Sequence, residues 1–545
     1  MRKTALLPLM RGGAPLTCAV LALAIGLFGA TPGDAQQSAP VQLQSKDGTM
    51  SIAGNLLSFD NDTYVVQTAD LGILRIQAES VICTGLVCPA STAFGPEFGI
   101  YGSRTVGTTL IPNLLRGYAT AIGATYEIVP TDDPAERVVR LTNADGTLRA
   151  QIDLQTRGSG SAFPALADGV AAIGVADRRM KDSDVEKIAP AGIPDLRDTA
   201  NETVLGVDGI VMITHPDNPV RNLSSLDVAR IWSGEVTNWL AFGGGDVPIT
   251  VNSFGESSGD RAVMMDALVR PNGRDETAQV TRWSAYQDMV DAVMADRGGI
   301  GFVGRWLART NDVNLLDIRE ECGLLSPPTD FRMKIEGYAL SRRLYAYTTP
   351  GRVHPEARAF LDWTLTSEAQ AYIKESHFID RELERMRLED MGMMLVHTAA
   401  VEPDFDGAQY SDMMQQLRGA DRLSVSFRFN TGSSVLDVES IRNIEELAAR
   451  MEAGEFDGLE VLLVGFADSI GERTRNTALA QARADSVREI LARALTPQTR
   501  QRLGLLPLSY GELLPLSCND AEVGRARNRR VEVWLRLPNS RSNLR

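Results

Sequence analysis

Histidine and cysteine are scarce in this chain, with four and five in 545 residues. The histidines (His215, His354, His377 and His397) are scattered and none lies in a distinctive motif. With the cysteines equally separated, no metal-ligand spacing is recognisable. Positive charge is in deficit too: 55 Lys and Arg against 70 Asp and Glu leave a net charge of −15. That argues against a nucleic-acid surface, which needs clustered cations, while leaving room for local basic sites that hold small anions. Long apolar runs are missing beyond the N-terminus. There Arg2, Lys3 and Arg11 accompany "PLTCAVLALAIGLFGA", and "TPGDAQQ" follows, with Gly33 and Ala35 suited to signal-peptidase cleavage. The run falls short of the ~20 residues that span a bilayer, and Cys18 is badly placed for a lipoprotein cysteine. Residues 1–35 are read as a signal peptide, and the mature chain as exported and soluble.

What is present is enough to build cores. The chain is 44% hydrophobic and 23% charged, which suits roughly three or four domains. Export permits disulfides. "CTGLVC" spaces Cys83 and Cys88 for a tight loop, and that bridge is the expectation; a zinc site would want a second cysteine pair or a nearby histidine. Whether Cys322 reaches Cys518 is not legible. Residues 40–90 read as short strands, "MSIAGNLLSF", "DTYVVQT" and "GILRIQAESVIC", divided by turns such as "DNDT". They predict a small β barrel or sheet, similar in pattern to Sm- or SH3-like modules, serving as a spacer or docking domain.

Residues 95–385 alternate strands ("TYEIV", "AAIGVA", "GIVMITH", "VPITVNSF", "GGIGFVG") with helices ("TLIPNLLRGYATAIG", "LSSLDVARIW", "RAVMMDALV"). This is an α/β pattern with mainly parallel sheets, long enough for two lobes around a cleft. Three hydroxyl- and glycine-rich turns, "YGSRTVGTT", "TRGSGSAF" and "SFGESSGDRA", stand where strands hand over to helices. Free N–H groups at helix starts, joined by hydroxyls, can hold an anion without lysines. "GESSG" also matches a nucleophile elbow around Ser257, but a hydrolase needs a histidine and an acid beside that serine. The anion-turn reading explains the same residues, and no catalytic residues and no enzyme activity are expected.

On these stretches, and on "VDGIVMITHPDNPVRNLSSLDVARIWSGEVTNWLAFGGGDVPITV", "GVAAIGVADRRM" and "LTSEAQAYIKESHF", residues 95–385 resemble the PstS-like phosphate-binding proteins of ABC transporters, a type II periplasmic binding fold. The resemblance implies an oxyanion held between two lobes. It assigns Gly102, Ser103 and Thr105 to the first anion turn, Ser159 and Ser161 to the second, and Ser258 and Gly259 to the third. Asp177 takes the place of a residue that accepts the proton of a protonated phosphate. Two positions depart from the family. Phe254 stands where an Arg is usual, and Asp260 where a Thr is usual. Each should weaken phosphate binding, with Arg178, Arg157 or Arg261 as candidate replacements.

Residues 386–420 are helical at both ends around a Pro/Asp break and are read as a connector packed on its own domain. Residues 421–540 give the strands "LSVSFRFNTGSSVL", "GLEVLLVGFAD" and "NRRVEVWLRL", with helices covering one face of a small sheet, an α+β arrangement. On a helix from Asn476, Leu479, Val487, Ile490 and Ala494 form an apolar stripe with Arg483 in its middle. A buried charge requires a partner, and an ion pair with Asp468, just past the second strand, is the simplest. The spacing of Asp468, Gly471, Asn476, Leu479, Arg483 and Ala484, together with "FNTGSSVL" and "NRRVEV", resembles the OmpA-like peptidoglycan-binding domain. That resemblance implies a different use for the two charges. Asp468 would take the ammonium, and Arg483 the carboxylate, of a diaminopimelate stem peptide, with Asn476 in support and Asn528 and Arg529 in the closing motif. "GFAD" replaces the usual Gly-His-Thr-Asp, and Leu479-Ala480 the usual Leu-Ser.

The expectation is therefore multidomain: a small β domain, an α/β two-lobe binding protein and an α+β OmpA-like domain. Such a protein would be a periplasmic receptor for phosphate or another oxyanion, tied to peptidoglycan and so to the outer membrane, needing no cofactor, with an ABC permease or another envelope protein as a candidate partner. The alternative is a wall-bound scaffold whose binding lobe has lost its ligand and docks a protein.

Overall fold

The computed structural model describes residues 39–45, 50–60, 63–68, 71–84, 95–256, 258–350, 353–401, 405–429, 433, 436 and 438–538. The expected signal peptide, Cys88 and Ser257 lie outside them. The chain divides into two compact units, residues 1–43 with 51–89, and residues 44–50 with 90–545. Among the described residues, no helix is long and apolar enough to cross a membrane.

The first unit is a five-stranded sheet. Its order is Gly72–Gln77, Thr63–Thr68, Ser51–Asp60, Ala39–Ser45 and Val81–Thr84. "TYVVQT" alternates, so Tyr64 and Val66 turn inward to meet Val41, Leu43, Val81 and Cys83. Cys83 is disulfide-bonded; its expected partner Cys88 lies outside the described residues.

In the second unit, two long strands cross between two lobes. Glu202–Thr214 and Ser341–Tyr347 pair antiparallel over most of their length. On one side Ser341–Tyr347 pairs with Ile173–Ala176, which runs parallel to Glu97–Gly102, itself parallel to Leu148–Gln155. On the other, Glu202–Thr214 pairs with Gly299–Gly304, which runs parallel to Thr250–Phe254. The sheet is thus mixed rather than mainly parallel, because the crossing strands return antiparallel. Ile173–Ala176 and Gly299–Gly304 are buried throughout, as strands covered on both faces must be. Each lobe has its own core, one around Leu114, Ile152 and Phe360 and one around Trp232, Met264 and Phe302. Local signals start the helices. Ser224 Oγ accepts from the Asp227 N–H, and the Asp227 carboxylate accepts from the Ser224 N–H, both at 3.0 Å, a capping box opening Ser225–Trp232.

The C-terminal sheet has five strands, ordered Arg385–Arg387, Ala420–Arg428, Arg530–Arg536, Glu460–Phe466 and Gly504–Ser509. Along Glu460–Phe466 the side chains alternate. Val461 and Leu463 join the core under the helices Val438–Glu452 and Arg473–Ala494, while Leu462, Val464 and Phe466 face the other way. That second face is covered as well. Met394, Leu395, Met413 and Leu417 of the connector lie on it, with Phe331 and Ile335 of the binding domain. The connector therefore seals a seam between the domains.

Ion pairs and a disulfide fasten that seam. Glu336 meets Arg343 at 2.9 Å and Arg428 at 2.8 Å, and Arg450 meets Glu382 at 2.8 Å. Cys322 and Cys518 are joined, their Cα atoms 5.8 Å apart across a sequence separation of 196. A cross-link closing so long a loop restricts the unfolded chain strongly. Replacing Cys518 with Ser should cost about 2–5 kcal/mol. A lower urea midpoint and faster proteolysis at the connector would report the loss, and a non-reducing peptide map of the parent chain checks the pairing.

Candidate functional site

Two sites follow from the placement of the predicted residues. The first is a cavity of about 670 Å³ between the lobes. Five of the eight predicted anion residues line it: Ser159, Ser161, Asp177, Ser258 and Gly259. Ser159 opens the helix Ser159–Ala167, and Ser258 caps Gly259–Met264, its Oγ accepting from the Arg261 N–H. Gly259 sits against Asp177, since a Cβ there would stand 4.0 Å from Asp177 Oδ1. The Ser159 hydroxyl donates to that same oxygen.

Gly102, Ser103 and Thr105 lie behind the lining. Gly102 has φ +145°, and any Cβ would collide with the Val175 carbonyl. This close approach lets the Ser103 N–H donate to Val175 at 2.8 Å. Ser103 is fully buried, and its Oγ accepts from the Val106 N–H at 3.3 Å. Thr105 is buried with Oγ1 3.3 Å from Tyr286 Oη. Their neighbour Arg104 lines the cavity instead.

The two departures have separate structural answers. Phe254 is buried and packs edge-on to Tyr286 and Phe302, with centroids 5.0 and 5.4 Å away, so it belongs to the wall of one lobe. Asp260 is buried against Arg342, which also lies 2.8 Å from Asp208 and 3.5 Å from Asp177. Burial pushes the Asp260 carboxyl above the ordinary range, Arg342 opposes this, and Asp177 and Asp208 add to it. Burial works against the Arg342 charge, but the three aspartates hold it firmly protonated. The three arginines expected as replacements are already engaged. Arg157 meets Asp133 and Glu136 at 2.7 and 2.6 Å, Arg178 meets Asp184 at 2.7 Å, and Arg261 meets Glu276 at 2.7 Å. Sequence reading missed Arg342 because nothing local in "SRRLYAY" marks one arginine as the counter-ion of three distant acids.

The second site lies at the end of the strand Glu460–Phe466. Gly465 lets the helix Arg473–Ala494 pack directly on the strand, where a Cβ would collide with the Ala480 carbonyl. The buried stripe of that helix is Asn476, Ala480, Arg483, Ala484, Val487 and Leu491. It is rotated from the predicted one, since Leu479 is only half-buried and Ala494 is exposed, but Arg483 remains at its centre. Asp468 and Arg483 do not pair with each other. Asp468 Oδ2 meets Arg529 at 2.8 Å, and Arg529 also meets Glu522 at 2.6 Å. The Arg483 Nε donates to the Ser433 carbonyl at 3.1 Å, and its guanidinium lies 5.4 Å from the Phe429 ring centroid. Its two terminal nitrogens are buried and have no partner among the described residues. Burial, then the neighbouring Arg529 charge, pulls its pKa down to about 10. Asn476 donates to the Asp468 carbonyl at 3.2 Å and to Glu512 at 2.7 Å, bracing the loop. Asn528 accepts from the Leu516 and Ser517 N–H groups and donates to the Ser517 carbonyl. Its amide also donates to Asn519 Oδ1 at 3.0 Å, so it is spent within the chain.

Arg342 provides a test of the first site. An Arg342→Met chain keeps three acids facing one another, and breaking such a buried pair costs about 3–5 kcal/mol at neutral pH. A carboxyl whose folded pKa is raised binds a proton that the unfolded chain releases, so stability falls as pH rises through that interval. The variant should therefore recover part of its deficit at about pH 5 relative to pH 8, measured by urea denaturation at both.

Comparison with known proteins finds similarity in two stretches of the chain. Residues 148–368 match the PBP superfamily domain, and residues 428–529 match the OmpA family. The phosphate-binding protein PstS of Borreliella burgdorferi is 22% identical over 267 residues, 48% of this chain and 88% of that protein. Outer membrane porin F of Pseudomonas fluorescens is 33% identical over 112 residues, 21% of this chain and 32% of the porin. The alignment thus spans about a third of the porin. Among solved structures, a putative phosphate ABC transporter substrate-binding protein from Clostridium perfringens covers 52% of this chain and 100% of its own, at 23% identity and a TM-score of 0.39. The chain joins a PstS-like domain of the PBP superfamily to a C-terminal OmpA-family domain.

Proposed function

We propose that this protein is a periplasmic receptor for phosphate or a related oxyanion, held to peptidoglycan, and through it near the outer membrane, by its C-terminal domain. The observation that carries the anchor is Arg483. A buried guanidinium with two unpartnered terminal nitrogens is costly. A ligand carboxylate accepting both in parallel relieves that cost, and Arg is the side chain suited to it. Asp468, held by Arg529 on one side, offers the acceptor for an ammonium. One ligand bearing both charges is the diaminopimelate of a stem peptide.

The oxyanion reading is supported by the Ser159, Ser161 and Ser258 hydroxyls at two helix starts, and by the internal neutralisation of Asp260. No covalent chemistry is invoked; the ligand selects the closed arrangement of the lobes. The scaffold alternative has its own support, because Arg157 and Arg178 in the lining are already paired and the floor carries more acids than cations. An ABC permease is a further candidate partner.

Two experiments separate these claims. In co-sedimentation with purified peptidoglycan, Arg483→Met should abolish binding while leaving folding stability unchanged or raised by about 1–4 kcal/mol, since an apolar side chain of similar volume removes a buried unpaired charge. Wall binding equal to the parent chain would remove Arg483 from the site. In calorimetry, phosphate should give saturable heat that weakens at least tenfold in Ser159→Ala. Silence across phosphate, sulfate and other small anions would select the scaffold.

A further inference from the structure

A second cavity, of about 400 Å³, lies in the seam between the binding domain and the C-terminal sheet. Its volume falls within the ~300–1,000 Å³ of small-molecule sites. The walls are apolar, with Leu324, Pro327 and Phe331 from the binding domain and Met386, Met391 and Met394 from the connector. Methionine walls adapt readily to an unbranched apolar guest.

Two guanidinia enter this apolar space, and each leaves at least one buried N–H without an acceptor among the described residues. Arg422 is 1% exposed, and its Nε has no partner among the described residues. Its Nη2 lies 2.9 Å from Glu532 Oε1, an ion pair whose angle makes no hydrogen bond. That carboxylate is shared, since Arg530 holds it at 2.6 Å and the Trp534 indole N–H donates to it at 2.9 Å. Arg332 forms no ion pair among the described residues. Its Nη1 is buried and unpartnered, and its Nη2 finds the Met394 sulfur at 3.4 Å. Burial lowers the affinity of both side chains for their protons, pulling Arg422 down to about 9. The acids at the cavity do not redress the balance. Burial pushes the Asp317 carboxyl up towards its neutral form, and Asp390 is taken by Arg387 at 3.1 Å.

An apolar chamber with two under-neutralised guanidinia calls for a guest with one anionic end and an apolar body. We propose that this cavity is a second ligand site, separate from the anion cleft and from the Arg483 pocket, for a carboxylate on an apolar tail such as a medium-chain fatty acid. The carboxylate would accept from Arg332 Nη1 and Arg422 Nε, and the tail would lie along the methionines. Because the walls come from both domains and from the connector, such a guest would also strengthen the seam.

The test uses the full chain with decanoate as the probe. Calorimetry should give saturable one-to-one binding, with decanol at least tenfold weaker and acetate silent. In chains carrying ¹³C-methyl methionine, decanoate should shift the signals of Met386, Met391 and Met394 and leave those of Met212 and Met264 in the other core. Arg332→Gln should weaken decanoate at least tenfold, while Ser159→Ala, in the anion cleft, should leave it unchanged. No saturable heat, equal affinity for decanol, or no shift at the three seam methionines would each overturn the proposal. The methyl readout needs no substitution, so the result does not depend on a variant folding.

Discussion

Arg342 sits where the two lobes meet, and the geometry of the cleft depends on its charge. Its strand, Ser341–Tyr347, pairs with Ile173–Ala176 of one lobe and with the crossing strand Glu202–Thr214. Its guanidinium gathers Asp208 of that crossing strand, Asp260 at a helix start in one lobe and Asp177 of the other. Three carboxylates gathered here, Asp208 and Asp260 fully buried and Asp177 at the cavity wall, would repel one another without the cation, so its charge constrains where the elements bearing them can lie. The contacts are unequal. Asp208 is at 2.8 Å and Asp177, across the cleft, at 3.5 Å. Separating the lobes therefore breaks the weakest link of the set first, which is how a hinge can be rigid within each lobe and yielding between them.

On the proposed oxyanion reading, the same cluster would limit what the cleft can hold. An anion entering it would meet serine hydroxyls and two helix starts, and behind them one cation set against three acids. On that reading the hydroxyls and free N–H groups would favour the anion, and the floor would oppose it less where burial keeps a proton on Asp260. A partly protonated oxyanion would resolve that opposition better than a fully ionised one, because its own O–H could donate to Asp177. A spherical anion without a proton has no such recourse.

Much of this was legible in the sequence, for a definable reason. The strand–helix alternation, the capping residues and the spacing of Asp468, Asn476 and Arg483 are local patterns, and local patterns survive in a linear text. What escaped was set by tertiary contact. Arg342 meets acids 82, 134 and 165 residues away, and Cys322 meets Cys518 across 196; neither separation leaves a periodic trace. The edge strand Gly504–Ser509 was hidden by Pro507, which suits an edge but reads as a strand breaker. The pairing of Asp468 with Arg529 rather than Arg483 turned on the rotation of one helix, which brings Ala480 onto Gly465 and leaves Arg483 facing the Phe429 ring. The second covered face of the C-terminal sheet came from a connector whose methionines carry no periodicity specific enough to name their partner.

Sorting the buried arginines by how their charge is met gives a physical distinction between architecture and recognition. Arg342, with three acids, and Arg530, bonded to Glu532 and to the Leu514 carbonyl, are satisfied within the chain, and their removal would leave acids or carbonyls stranded. Arg483, Arg332 and Arg422 each bury at least one N–H that the described residues do not meet. A fold gains nothing from such groups, because an apolar side chain of the same volume would cost less. They persist in an otherwise well-packed molecule, Arg332 and Arg422 in the lining of the seam cavity and Arg483 beside the end of a strand. The burden they place on stability is intelligible when the missing acceptor arrives from outside. By that criterion the proposed Arg483 site and the proposed seam site are of the same physical kind, whereas an anion in the inter-lobe cleft, where Arg342 is already engaged by three acids, would have to be held through hydroxyls and backbone.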